Sequence, residues 1–199
     1  MFHPDLQEPV TALLKKQTAQ PHAQLEALLL PHLQAIANAD DYASILTAFH
    51  GFFAPLERAI APWISTGPIP DWHLRRKATL LRDDLAVLHG PMLSLPEAID
   101  LPDISSEASA LGALYVMEGS TLGGRAIAQM VRRALPGIPE NALSFFTGYG
   151  PATGTMWTSF QLALTSYGDA EDRQTEMIEA ANQTFKTFGT WIQHRLQAR

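Results

Sequence analysis

A histidine and a glutamate four residues apart, His22 and Glu26, stand in the stretch LKKQTAQPHAQLE (residues 14–26). At helical spacing the two share one face. A carboxylate so placed can accept the proton of one ring nitrogen, directly or through water, and leave the other nitrogen free to bind a metal. Pro21 removes a backbone donor and is expected to bend the helix just before His22. Lys15 lies seven residues upstream on the same stripe. A His–Glu pair on a helix also serves as an ordinary polar pair, so the spacing alone does not make a metal site.

The second stretch with chemical potential is YVMEGSTLGGRAI, residues 115–127. Leu111, Leu114, Tyr115, Leu122 and Ile127 make a helical apolar stripe, yet Gly119, Gly123 and Gly124 interrupt it beside Ser120 and Thr121. Each glycine inside a helix costs about 1 kcal/mol against alanine. Gly119 and Gly123 share a face, and Gly124 widens it. Such a face suits close packing of a second helix, or a flat ligand lying on bare backbone. A phosphate loop does not fit: GSTLGGR is not GxGxxG, follows no strand and lacks the P-loop lysine.

Other chemistries find no pattern. No Glu-x-x-His occurs, which argues against a ferritin-like di-iron bundle, and no His-Glu-x-x-His is present. His3, His32, His50, His73, His89 and His194 are scattered and read as surface or cap residues. No Gly-x-Ser-x-Gly elbow appears. Phe145, Phe146, Tyr149, Trp157, Phe160, Phe185, Phe188 and Trp191 read as core, with a subset available to wall an apolar pocket.

The elements that must position these groups are helical. Apolar residues recur at helical period over 10–30, 40–64 (from an Asp cap), 71–90 (stopped by Gly90), 106–135 and 171–196. A short helix, a Gly-Pro-rich turn and another helix fill 141–168. No strand alternation or internal repeat is visible, and the Pro- and Gly-rich joints at 65–71 and 89–103 read as interhelix loops. The expectation is an all-α bundle of about six to eight helices, one domain over residues 1–199. The 46% hydrophobic content supplies a core. A net charge of −6 without a dense basic cluster excludes a nucleic-acid partner. The chain has no cysteine, hence neither disulfides nor thiolate sites. No signal peptide or membrane span is read, which makes a cytoplasmic protein the expectation.

Together, the two opening stretches resemble the haem oxygenase family in its bacterial, biliverdin-producing branch. LKKQTAQPHAQLE is similar to that family's proximal helix and GALYVMEGSTLGGRAI to its distal helix. DDYASILTAFHGFFAPLE, FFTGYG…TGTMWTSFQLAL and EAANQTFKTFGTWI are similar to other family helices, so the resemblance spans about residues 10–195. It implies a helical bundle with haem sandwiched between the two helices. It implies haem b as both substrate and cofactor, opened with O2 and external electrons to biliverdin, CO and ferrous iron. His22 becomes the axial iron ligand, with Glu26 supporting it. Gly119, Gly123 and Gly124 pack over the other haem face, and Gly119, Ser120 and Gly123 shape the space where oxygen reacts. Lys15 matches a propionate-binding lysine, and Tyr115 is a weaker propionate candidate.

Two departures stand out. Many relatives carry aspartate where this chain has Ser120. The MWTSFQLALTSYG helix lacks the basic residues that hold propionates in some relatives; Arg125, Arg132 and Arg133 are the replacements on offer. No flavin or nicotinamide motif is present, so electrons must come from a separate ferredoxin or flavin reductase. A non-catalytic haem carrier or sensor on the same fold, and a bundle that binds no haem, remain as alternatives.

Overall fold

The computed structural model describes residues 8–65, 67–91 and 94–196; His3 lies outside them. Eight helices follow in order: α1 (Val10–Gln17), α2 (Ala19–Gln34), α3 (Ala39–Ile64), α4 (Ala78–His89), α5 (Glu107–Ala134), α6 (Ser144–Thr147), α7 (Thr153–Tyr167) and α8 (Glu171–Leu196). No strand occurs among the described residues, as the helical periodicity predicts.

Three boundaries differ from the sequence reading, each for a local reason. The segment 10–30 is two helices. Pro21 cannot donate to the Gln17 carbonyl and its ring would crowd it, so α1 ends at Gln17. Thr18 (φ −99°, ψ 0°) forms the joint, its hydroxyl donating to Leu14 O at 2.7 Å. α3 starts at Ala39, one residue before the expected start at Asp40, because Asn38 is the true N-cap. Its side chain accepts from Asp41 N at 3.0 Å, and the Asp41 carboxylate accepts from Asn38 N at 3.3 Å. Residues 71–90 are not one helix either: a single 3-10 turn over Trp72–Leu74 precedes an irregular bend at 75–77, and only then does α4 begin.

The core is a contiguous cluster centred on α3, α5 and α8, with Phe52, Leu56, Leu111, Leu114, Met117 and Phe188 among its most enclosed side chains. Two glycines let backbones meet. At Gly51 of α3 a Cβ would fall 2.5 Å from Pro96 O and 2.6 Å from the Trp191 ring. At Gly112 of α5 it would collide with the Met177 carbonyl of α8. His50 departs from the expected surface role: it is 3% exposed on α3, and neither ring nitrogen has a partner.

Candidate functional site

The helices enclose a cavity of about 430 Å³, inside the usual range of roughly 300–1,000 Å³ for small-molecule sites. One wall carries Lys15 of α1, Thr18 at the joint, and His22 and Glu26 of α2. Another is α5, through Tyr115, Gly119, Ser120 and Gly123. Trp157 and Gln161 of α7 and the rings of Phe49, Phe53, Phe146, Phe185 and Phe188 complete a largely apolar lining. The two stretches picked out by sequence, a hundred residues apart, thus face one space.

On the first wall, His22 is the fourth residue of α2, and its backbone N–H donates to Thr18 O at 3.0 Å. The imidazole is 53% exposed, its ring set edge-on to Phe185 at 5.5 Å. Glu26 Oε1 lies 3.6 Å from His22 Nε2. That is longer than a direct hydrogen bond and leaves room for a small rotation or a bridging water. Burial, the larger influence, pushes the Tyr115 phenol above the usual range, and the nearby Thr18 hydroxyl opposes that shift. The phenol therefore keeps its proton near neutral pH.

On the second wall, α5 runs unbroken from Glu107 to Ala134, despite its glycines. A capping box at Ser106 and Ser109 starts it. A Cβ added at Gly119 or Gly123 would meet nothing within 4 Å. These two are bare because the space above them is empty of protein. Gly124 departs from the expectation of a cavity-facing glycine. It is buried and does not line the cavity, and a Cβ there would strike the Phe146 carbonyl of α6. Ser120 does line the cavity, and its hydroxyl donates to Met117 O at 2.6 Å. With its single proton committed, the hydroxyl faces the cavity as an acceptor.

The sequence reading missed a charged cluster behind α5. Glu118 accepts from Arg75 Nη1 at 2.5 Å, from Lys77 Nζ at 2.7 Å and from the Tyr149 hydroxyl at 2.7 Å. Arg75 forks onto Asp71 through Nε and Nη2, both at 2.7 Å. It also reaches Ser159 Oγ at 2.8 Å and the Met156 carbonyl. Arg75, Lys77 and Glu118 are all buried. Burial pulls the Lys77 ammonium below its usual range against the attraction of Glu118. Burial, reinforced by Glu118, drives the Tyr149 phenol well above its own. The run RRK at 75–77 falls inside the segment 71–90 that the sequence reads as one helix. The available signal was Glu118 itself, a lone carboxylate inside an otherwise apolar stretch, which needs a buried cation.

The expected propionate replacements fare differently. Arg125, Arg132 and Arg133 do not line the cavity. Arg132 is spent on Glu140, with bonds of 2.9 and 2.6 Å. Lys15 is the lysine or arginine that does line it. Of the aromatics expected in the core, Phe145, Phe146, Phe160, Phe185 and Phe188 are buried there, and Phe146, Phe185 and Phe188, with the half-buried Trp157, also wall the cavity.

The lining fits a flat, mostly apolar ligand that brings its own metal. Among the described residues no group of three His, Asp or Glu side chains could hold an ion alone. A lone imidazole suffices for a metal already held in a macrocycle. Also among the described residues, no helix is long and apolar enough to cross a membrane.

Comparisons with known proteins agree with this arrangement. A heme oxygenase of Xanthomonas campestris pv. campestris (strain 8004) is 36% identical over 159 residues, spanning 80% of this chain and 93% of that relative. A heme oxygenase of Pseudomonas aeruginosa is 28% identical over 180 residues, 88% of this chain and 87% of that one. Among solved structures, the NO- and CO-bound heme oxygenase of Neisseria meningitidis superposes with a TM-score of 0.79 at 18% identity, covering 96% of this chain and 94% of that one. Heme oxygenase-1 of the cyanobacterium Synechocystis, solved with heme, gives 0.73 at 12% identity and 96% coverage of both chains; at such identities the likeness concerns the fold. The Heme oxygenase family profile matches residues 8–194, and with a bare glycine ridge and an imidazole sharing one apolar cavity, the chain belongs to that family.

Proposed function

We propose that this chain opens haem b to biliverdin, CO and ferrous iron, with His22 as the axial ligand. One observation carries the reading. Gly119 and Gly123 present backbone without side-chain obstruction to the same cavity that His22 lines. When bound, haem supplies the iron at which O2 is reduced and the ring that is then oxidised.

The chain's own residues bind, orient and shield. After a small rotation or through a bridging water, Glu26 accepts the His22 ring proton, which fixes the tautomer and leaves the other nitrogen for iron. The ring of Phe185 limits how far the imidazole can turn. Gly119 and Gly123 allow the α5 backbone to lie against the macrocycle, which leaves oxygen a restricted direction of approach. Ser120, its own proton engaged by Met117, accepts from a water in the cavity, and that water carries protons to the reacting oxygen. Lys15 and the protonated Tyr115 hold propionate oxygens at the polar edge. Burying several hundred Å² of apolar ring at ~25 cal/mol per Å² contributes on the order of 10 kcal/mol before binding costs. That outweighs the glycine penalty in α5.

The electrons come from a separate carrier, a ferredoxin or a flavin reductase, and we infer that the reaction runs in the cytoplasm. Titration with hemin tests the reading. The expected result is a Soret band typical of histidine ligation, which His22→Ala abolishes or displaces. Reduction under O2 should then release a bilin absorbance. Hemin binding without bilin formation would instead favour a carrier or sensor, and absence of hemin binding would leave only a packed bundle.

A further inference from the structure

The charged cluster behind α5 joins the two elements that would touch opposite parts of a bound substrate. Glu118 immediately precedes Gly119, and Met156, whose carbonyl Arg75 holds at 3.2–3.3 Å, immediately precedes Trp157. Gly119 and Trp157 both line the cavity. One guanidinium thus grips α5 through the Glu118 carboxylate and α7 through Met156 O and Ser159 Oγ. Lys77 and Tyr149 close the same carboxylate from the other side, and Nζ and the phenol oxygen are 2.6 Å apart. Asp71 completes the guanidinium.

Buried charges of this kind add little net stability, because desolvation cancels most of the attraction. What they supply is direction. A bonded carboxylate tolerates few positions, whereas apolar packing tolerates many. None of Asp71, Arg75, Lys77, Glu118, Tyr149 and Ser159 lines the cavity, so the cluster meets no substrate and can act only through α5 and α7.

We propose that Glu118 is a positioning residue: through Arg75 it fixes the glycine ridge of α5 against Trp157 and Gln161 of α7, and so sets how the macrocycle is seated in its own plane. The inference rests on the haem-opening reading above. In-plane seating decides which ring edge lies beneath the ridge, and hence which carbon is attacked. Removing the charge while keeping the shape lets the two walls slide relative to each other, and alternative seatings become populated.

The experiment uses Glu118→Gln in the full chain, with Tyr149→Phe as a milder variant that removes one bond to the same carboxylate. Helical content and melting of the apoprotein are recorded first. The hemin–cyanide complex of each folded variant is then examined by proton NMR, where the shifted ring-methyl resonances count the seatings without turnover. Biliverdin isomers from single turnovers are separated by chromatography. The expected result is a rise of at least about threefold in the minor seating, with a matching change in isomer ratio and retained hemin binding. Methyl resonances and isomer ratio identical to wild type would overturn the proposal. If Glu118→Gln does not fold, Tyr149→Phe decides by the same two readouts. Wild-type protein that binds no hemin or yields no bilin would sink the functional reading itself, and the positioning role with it.

Discussion

The two walls of the cavity solve opposite problems. The first wall must present side chains, and it does so from an interrupted path: α1 stops at Gln17, Thr18 turns, and α2 restarts with Pro21 and His22 in its first turn or just past it. The second wall must present no side chains, and it does so from α5, which stays helical for 28 residues through four glycines. The helix rich in residues that weaken helices is therefore the continuous one. The difference lies behind the walls. α5 is held from its rear by α8 at Gly112, by α6 at Gly124 and by the Glu118 cluster, whereas the joint at Thr18 is anchored by a single hydroxyl bond to Leu14 O. Tertiary anchoring outweighs intrinsic propensity.

The comparison breaks most visibly at the rear of α5. Gly112→Ala and Gly124→Ala each place a methyl group into a rigid backbone carbonyl. Each should cost about 3 kcal/mol or more, near the upper end for overpacked cores. For a chain of this size that lowers the melting temperature by roughly 6–12 °C, measurable by circular dichroism on the apoprotein. Little loss at Gly124 would mean that α6 can retreat and that α5 is not fixed from that side.

The front of α5 should respond with the opposite sign. Gly119→Ala and Gly123→Ala add a methyl to open space. Apoprotein stability should rise by about 1 kcal/mol at each site, or roughly 2–4 °C. Hemin affinity should fall by about tenfold at one or both, since the methyl now occupies space the ring needs. Alanine variants that gain stability and bind hemin as wild type does would show that the macrocycle does not rest on this ridge.

These two sets of glycines mark the limit of what the sequence discloses. Helical period locates the long elements, apart from the break between α1 and α2 at Thr18, because amphipathic spacing acts locally, and Gly90 marks the end of α4 in the same way. His22 and Glu26 are visible as a pair for the same reason. Three glycines within six residues signal closeness to something, but only the fold decides to what: Gly119 and Gly123 face a cavity while Gly124 meets Phe146. Spacing could not separate them, since α6 arrives from a distant part of the chain. The cluster of Arg75, Lys77 and Glu118 was hidden by the same gap. The bend at 75–77 follows from tertiary contacts, including the Glu57 carboxylate that accepts from the backbone N–H groups of Lys77 and Ala78. No local pattern encodes it. The unpartnered burial of His50 is likewise set by the helices packed around α3.

The smallest expected effect concerns the first wall. Pro21→Ala restores a backbone N–H that can reach Gln17 O and removes the ring that crowds that carbonyl. Two terms oppose each other. The variant can extend α1 into α2, but its unfolded chain gains freedom that Pro21 withheld, which costs about 0.4–1 kcal/mol. Stability should therefore stay within about 0.5 kcal/mol of wild type. The informative readout is the hemin dissociation rate. If the interruption aims His22 at the cavity, a healed helix rotates the imidazole away, and dissociation should accelerate severalfold while melting hardly moves. An unchanged rate alongside unchanged melting would assign the aim of His22 to the Thr18 hydroxyl's bond to Leu14 O instead, because that bond holds the joint whether or not residue 21 can donate.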